Sequence, residues 1–217
     1  MTLAQTNIID KEDTPPQEIN NLLQGRKYTP AYRHIKGTQY LTDNWRLGSV
    51  LFMDRLYKDI PIWYDTYNDE LILLDWQGYG YGFIKMVKQY IQKFSFEGRV
   101  FVNPIHGKYK NYGLGSDFLE VVLDDQIIYL IKRETDLLEI DNKYDFVRRD
   151  KKFVVKDGAA FEISNKKSLL NIAGPSYKKQ VNAYIKKNIN RMSKASEVDW
   201  SRVILYYNNL LQSNRLN

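Results

Sequence analysis

The sequence predicts an α+β fold: an antiparallel β-sheet or sandwich built from hairpins, followed by C-terminal amphipathic helices. Three observations carry that reading. From residue 45 to residue 163 the apolar positions tend to recur every second residue, the period of a strand with two unlike faces. Turn-forming pairs separate those runs, above all Asp157-Gly158, whose residues both accept positive φ. After Ser164 the period changes to 3.6, and helices that follow the strands instead of alternating with them mark α+β.

Residues 1–36 carry little pattern and read as a mobile N-terminal segment. Within it, Asp13-Thr14-Pro15-Pro16 opens a short helix over 17–24, with Ile19, Leu22 and Leu23 on one face and Gly25 as its stop. Residues 37–217 read as a single domain, β-rich over 45–163 and helical over 166–212. Its first strand covers 49–53. Residues 59–76, DIPIWYDTYNDELILLDW, form the hairpin to which later strands add: Ile60, Ile62 and Tyr64 alternate with Pro61, Trp63 and Asp65. Asn68-Asp69 turn the chain, and Leu71 to Leu74 are apolar on both faces, as in a strand covered on both sides. Gly78, Gly80 and Gly82 predict a loop. Strands are expected over 84–96 and 99–102, the latter ended by Asn103-Pro104. A second hairpin joins 118–123 to 127–132 around Asp124-Asp125. A strand covers 144–149, and a third hairpin joins 152–156 to 159–163. A short helix over 166–173 stops at Gly174-Pro175. Ser176 caps the next, which runs to about Asn190 with Tyr177, Val181, Tyr184, Ile185 and Ile189 on one stripe. Ser196 and Asp199 form a capping box for the last, whose stripe is Trp200, Val203, Ile204, Tyr207, Leu210 and Leu211.

Composition narrows the function classes. The 217 residues include 17 Tyr, 4 Trp and no Cys. Tyrosine suits half-buried sheets. The lack of cysteine excludes disulfides, thiol catalysis and cysteine-ligated zinc. No apolar run approaches the ~20 residues of a membrane helix. Residues 2–5, Thr-Leu-Ala-Gln, look like the tail of a secretory leader. The net charge of +6 is uneven. From residue 151 onward there are 13 Lys and Arg against 4 Asp and Glu, an excess of nine that leaves the first 150 residues at −3.

Few residues carry a chemical signal. His34 and His106 lie in poorly patterned stretches, without a nucleophile elbow or metal-ligand spacing nearby. Asp65, Asp69 and Glu70 gather at the first hairpin; such carboxylates serve acid–base chemistry in a cleft, or solubility at a turn tip. The glycines at 78, 80 and 82 lack the further glycine and the Lys-Ser/Thr of nucleotide loops. Lys178, Lys179, Lys186, Lys187 and Arg191 line the polar side of the second C-terminal helix, which reads as a binding face or a solvated one. No metal site, cofactor or catalytic residue is assigned.

Several stretches together resemble a large, uncharacterised family of exported Bacteroidota proteins. They are Gly37-Thr38-Gln39-Tyr40-Leu41, Gly48-Ser49-Val50, the run from Ile60 to Leu71, the strand pair over 118–132, the hairpin over 152–163 and Tyr206-Tyr207-Asn208. The resemblance covers about 37–210, with residues 77–89 departing from it as a local insertion. It implies export to the cell envelope, and no activity or catalytic residue. The expected function is therefore a non-catalytic periplasmic or outer-membrane-associated protein that binds another envelope component, by a strand edge or by its helical end. The alternatives are a small hydrolase using Asp65, Asp69 and Glu70, and a non-specific nucleic-acid or anionic-surface binder acting through the basic helix. Specific nucleic-acid recognition is not expected, because lysine dominates where Arg, Asn or Gln would read bases.

Overall fold

Antiparallel hairpins build the sheet of the computed structural model, which describes residues 8–9, 22, 25–30, 32, 35–75 and 82–213. Its strands are β1 (Ile8–Ile9), β2 (Arg26–Tyr28), β3 (Arg46–Phe52), β4 (Arg55–Asp65), β5 (Glu70–Asp75), β6 (Gly82–Lys85), β7 (Ile91–Phe96), β8 (Arg99–Val102), β9 (Leu119–Asp124), β10 (Ile128–Lys132), β11 (Thr135–Ile140), β12 (Lys143–Arg148), β13 (Lys151–Lys156) and β14 (Ala159–Glu162). Two helices follow, α1 (Lys166–Asn188) and α2 (Glu197–Ser213). The fold is thus α+β. Of the two architectures expected, it is one continuous sheet in the order β14-β13-β10-β9-β8-β7-β3-β4-β5-β6-β2, with β1 alongside β4 in parallel and β11-β12 as a separate pair. Among the described residues, no helix is long and apolar enough to cross a membrane.

The β4-β5 hairpin pairs Ile62 with Leu73, Tyr64 with Leu71 and Asp65 with Glu70. Asp69 closes its turn at φ +54°. Ile62, Tyr64, Leu71 and Leu73 are all buried on one face and Ile72 on the other, so both faces of the hairpin are covered. The sheet does not lie flat here. The Tyr64 ring on β4 meets Phe101 on β8 at 5.4 Å between centroids, although two strands separate them. At ~4.8 Å per strand a flat sheet would hold those strands about 14 Å apart. The β3–β8 region therefore curls around Val50, Phe94, Phe96 and Phe118.

The second half of the sheet is covered on both sides. Tyr129, Ile131 and Val154 pack under Val181, Ile185, Trp200, Val203 and Tyr207 of the helices. On the opposite face Leu119, Leu130 and Val155 pack with Tyr109, from the 3-10 turn Gly107–Tyr112. Asn208 locks α2 to the sheet, its side chain accepting from the Ile127 amide at 2.7 Å and donating to the Ile127 carbonyl at 3.0 Å.

Three local expectations need correction. Residues 84–96 are not one strand: β6 pairs with β5, a 3-10 turn over Lys88–Tyr90 intervenes, and β7 pairs with β3. Two partners on opposite sides of the β3-β4-β5 group require the break. The strand β11 was not foreseen, although its turn to β12, Asp141-Asn142, holds both residues at positive φ, +51° and +59°. The helical break falls at Gly174 (φ +70°), so Pro175 takes the first helical position and Ser176 caps nothing. Asn165 caps the preceding turn through a reciprocal bond with Ser168, and Ser196 with Asp199 forms the capping box expected for α2. The helix expected over 17–24 lies outside the described residues except for Leu22, which is buried in the curled core. Gly78, Gly80 and His34 lie outside them as well. Gly82 opens β6, which pairs with β5 and β2, so part of the stretch 77–89 belongs to the sheet.

One buried group has no evident reward. The Tyr129 hydroxyl finds no hydrogen-bond partner among the described residues, and an orphaned buried hydroxyl costs about 1–3 kcal/mol. Tyr129→Phe should leave the urea midpoint unchanged or raise it, by up to about 1 kcal/mol in stability. A clear fall in the midpoint would mean that an internal water serves the hydroxyl.

Candidate functional site

The three hairpin acids do not converge. Asp65 is fully buried. Its Oδ1 accepts the amides of Tyr67 and Asn68, both at 3.0 Å. Its Oδ2 accepts Gln39 Nε2 at 2.6 Å, Asn68 Nδ2 at 2.9 Å and the Tyr28 hydroxyl at 3.1 Å. This is an Asx-type turn with further donors added. Thr66 continues the joint: its hydroxyl donates to the Gln39 carbonyl, lies 2.8 Å from that of Thr135, and accepts from Arg148. The Asp65–Thr66 end of the hairpin is thus an internal junction, with Asn68 exposed beside it.

Asp69 faces elsewhere. It accepts the Tyr64 hydroxyl at 2.5 Å, the Phe118 amide at 3.1 Å and the ammonium of Lys88. Burial raises its carboxyl above the ordinary range, against the opposing pull of Lys88 and Tyr64. Glu70 pairs with Lys85 at 2.7 Å. Asp69 and Glu70 do line one cleft of about 470 Å³ with Arg26, Asn68, Lys85 and Lys88, and Asp65 is not part of its wall. The acids in that cleft are each paired with a lysine of the cleft, although at Asp69 burial outweighs the pairing.

A second charged cluster carried almost no sequence signal. Arg133, 6% exposed, donates from Nε to Glu120 at 2.6 Å and from its terminal nitrogens to Asp150 at 2.7 Å and Glu197 at 2.8 Å. Arg99 completes it with two bonds to Glu120, at 3.0 and 2.6 Å. Burial works to raise the Glu120 carboxyl, but hydrogen bonds from Arg99 and Arg133 outweigh it and hold the group below its ordinary range. The hydrogen bond from Arg133 likewise holds Glu197 low, against partial burial. These residues come from β8, β9, the end of β10, the β12–β13 link and the first turn of α2. The cluster clamps α2 to the sheet. Only the alternation of β9, which places Glu120 among apolar neighbours, hinted that a buried acid would need a partner.

The basic helix has the opposite character. Lys178, Lys179, Lys186, Lys187 and Arg191 are all exposed, and none makes a salt bridge with a carboxylate of a described residue. Some cations elsewhere are paired, Lys132 with Asp117 and Glu134 and Lys88 with Asp69, while exposed ones such as Lys93 and Lys143 are likewise without a carboxylate of a described residue. Helical spacing sets Lys179 and Lys186, seven residues apart, nearly in line, with Lys187 about 100° round from Lys186. Lys178 lies on the other flank, so the four lysines form a broad face and not a single row; Arg191, expected on the same helix, lies beyond its end at Asn188 in extended backbone (φ −144°). Beside Lys187 runs a groove of about 480 Å³, lined by Gln180, Ala183, Tyr184, Lys187 and Asn188 of α1 and by Tyr206 of α2. Tyr184 and Tyr206 stack with centroids 4.1 Å apart. Sequence periodicity located the lysines. It missed Gln180 and Tyr206, because the groove exists only where α2 meets α1. His106 is half-buried, its Nε2 2.9 Å from the Gln89 carbonyl.

No family model matches the chain, and no curated protein or solved structure matches it.

Proposed function

We propose that the protein acts by binding, presenting the basic face of α1 to an acidic component of the cell envelope. The observation that carries this reading is the contrast in pairing. The five cations of the helical end stand without carboxylate partners among the described residues, while Lys88, Lys132 and Arg133 of the sheet region are each paired internally. A solvated charge face costs little to maintain and steers an oppositely charged partner during encounter. The hairpin acids offer the hydrolase alternative little support, since Asp65 is saturated by internal donors. Export to the periplasm or outer membrane rests on the family resemblance of the sequence. Fractionation of native cells tests it directly: recovery in the cytoplasm removes the envelope from the proposal.

Reversing Lys186 and Lys187 to Glu tests the face itself. Both side chains are exposed and off the buried stripe of Val181 and Ile185, but they sit in the last turn of α1, where carboxylates oppose the helix dipole, so stability should fall by about 1–2 kcal/mol with the fold retained. Crosslinking in native envelopes should lose its partner band in the variant, and the wild-type band should weaken with salt as exposed charges are screened. An undiminished band in the reversed variant would defeat the reading.

A further inference from the structure

We propose that the groove between α1 and α2 is the docking site for an acidic peptide segment of a partner protein, which seats one apolar side chain on Ala183 beside the stacked Tyr184–Tyr206 pair. This deepens the binding reading above and rests on it. Two independent features coincide at the groove. Its floor is apolar and open, because Ala183 is exposed and ends at Cβ while Tyr184 and Tyr206 stand beside it as a stacked pair. Its margin is cationic: Lys187 lines it, and Lys186 and Lys179 follow along the outer flank of α1. None of these lysines has a carboxylate of a described residue within salt-bridge distance.

Charge complementarity selects the occupant. A ligand that fills only the floor leaves three ammonium groups unanswered, and a purely acidic ligand leaves the aromatic surface wet. A segment with carboxylates flanking one apolar residue satisfies both. Its apolar residue supplies affinity by removing ring surface from water, and its carboxylates supply orientation and speed of encounter. The amide of Gln180 adds a donor and an acceptor for the peptide backbone. Single-stranded nucleic acid fits less well. Successive bases need separate ring faces to stack on, and here the two rings are stacked on each other at 12°.

The test uses the full chain and a dye-labelled, Asp/Glu-rich peptide with one central Trp, read by fluorescence anisotropy near physiological salt. A second peptide of the same charge carries Gly in place of Trp, and a labelled oligo-dT serves as the third probe. The Trp peptide should bind at least about tenfold more tightly than the Gly peptide, as burial of an aromatic side chain implies. Ala183→Lys fills the groove while keeping the face positive, and should reduce the Trp peptide to the level of the Gly peptide. Tyr206→Ala should do the same. Equal binding of both peptides, lost together in the Lys186→Glu/Lys187→Glu variant, would overturn the groove and leave the basic face standing. Failure of both peptides to bind, or tighter binding of oligo-dT than of the Trp peptide, would overturn the proposal outright. Envelope crosslinking judges the broader binding reading separately in every case.

Discussion

Arg133→Met is expected to lower unfolding stability by about 3–5 kcal/mol, the usual cost of stranding buried partners of an ion cluster. The substitution keeps most of the side-chain volume, so the loss is electrostatic and not a cavity. It leaves Glu120 with Arg99 alone, and Asp150 without the guanidinium 2.7 Å away. It also unfastens Glu197, and with it the first turn of α2. Urea denaturation measures the effect as a lower midpoint at constant slope. A loss under about 1 kcal/mol would mean that water already reaches these carboxylates.

The same cluster predicts an acid-dependent stability. Glu120 and Glu197 are held below their ordinary range in the folded chain, as are Glu134 and Asp117 by their lysines, each against an opposing burial effect. Carboxyls shifted downward stabilise the fold above their unfolded value, about pH 4.3 for Glu and 3.9 for Asp. That contribution is lost as pH falls through the lower folded values. Asp69 works the other way: burial raises it, so its ionised form costs stability at neutral pH and protonation relieves that cost. With Asp199, held low by Ser196, five lowered groups outnumber the one raised group, and stability should decline on acidification into that range. The decline should be shallower in Arg133→Met, because Glu120 and Glu197 lose their shared partner.

Asp65→Ala should cost a similar amount, about 3–5 kcal/mol, through a different mechanism. The carboxylate gathers five donors from Tyr28, Gln39, Tyr67 and Asn68. Removing it leaves buried N–H and O–H groups unmade, at about 1–3 kcal/mol for each that water cannot reach. Glu70→Ala, five residues on, supplies the comparison. Its pair with Lys85 is partly exposed on both sides, and such pairs contribute about 0–1 kcal/mol. Thermal unfolding of the two variants side by side separates them. Equal losses would show that the Asp65–Thr66 end of the hairpin is not the internal junction its hydrogen bonds describe.

What the sequence determined by itself was local. Asp157-Gly158 forced a hairpin because both residues accept positive φ, and they adopt +50° and +79°. Ser196 and Asp199 capped α2, and the 3.6-residue stripe named Trp200, Val203, Ile204 and Tyr207 as its buried face. The same periodicity put Lys186 and Lys187 in solvent. Each of these outcomes depends on neighbours a few residues away.

What only the tertiary structure decided depends on distant ones. Whether β7 lies beside β3, and whether the sheet curls until Tyr64 meets Phe101, follows from how apolar faces bury one another across the chain. The environment of a charge follows from the same packing. Asp65 and Asp69 carry the composition of a solvated turn, yet Gln39 and Phe118 reach them from 26 and 49 residues away. Arg133 and Glu197 are 64 residues apart and meet only when α2 docks. Local periodicity sets which face of an element is apolar. The free energy of a carboxylate is set by which donors replace its water, and those donors are chosen by the whole fold.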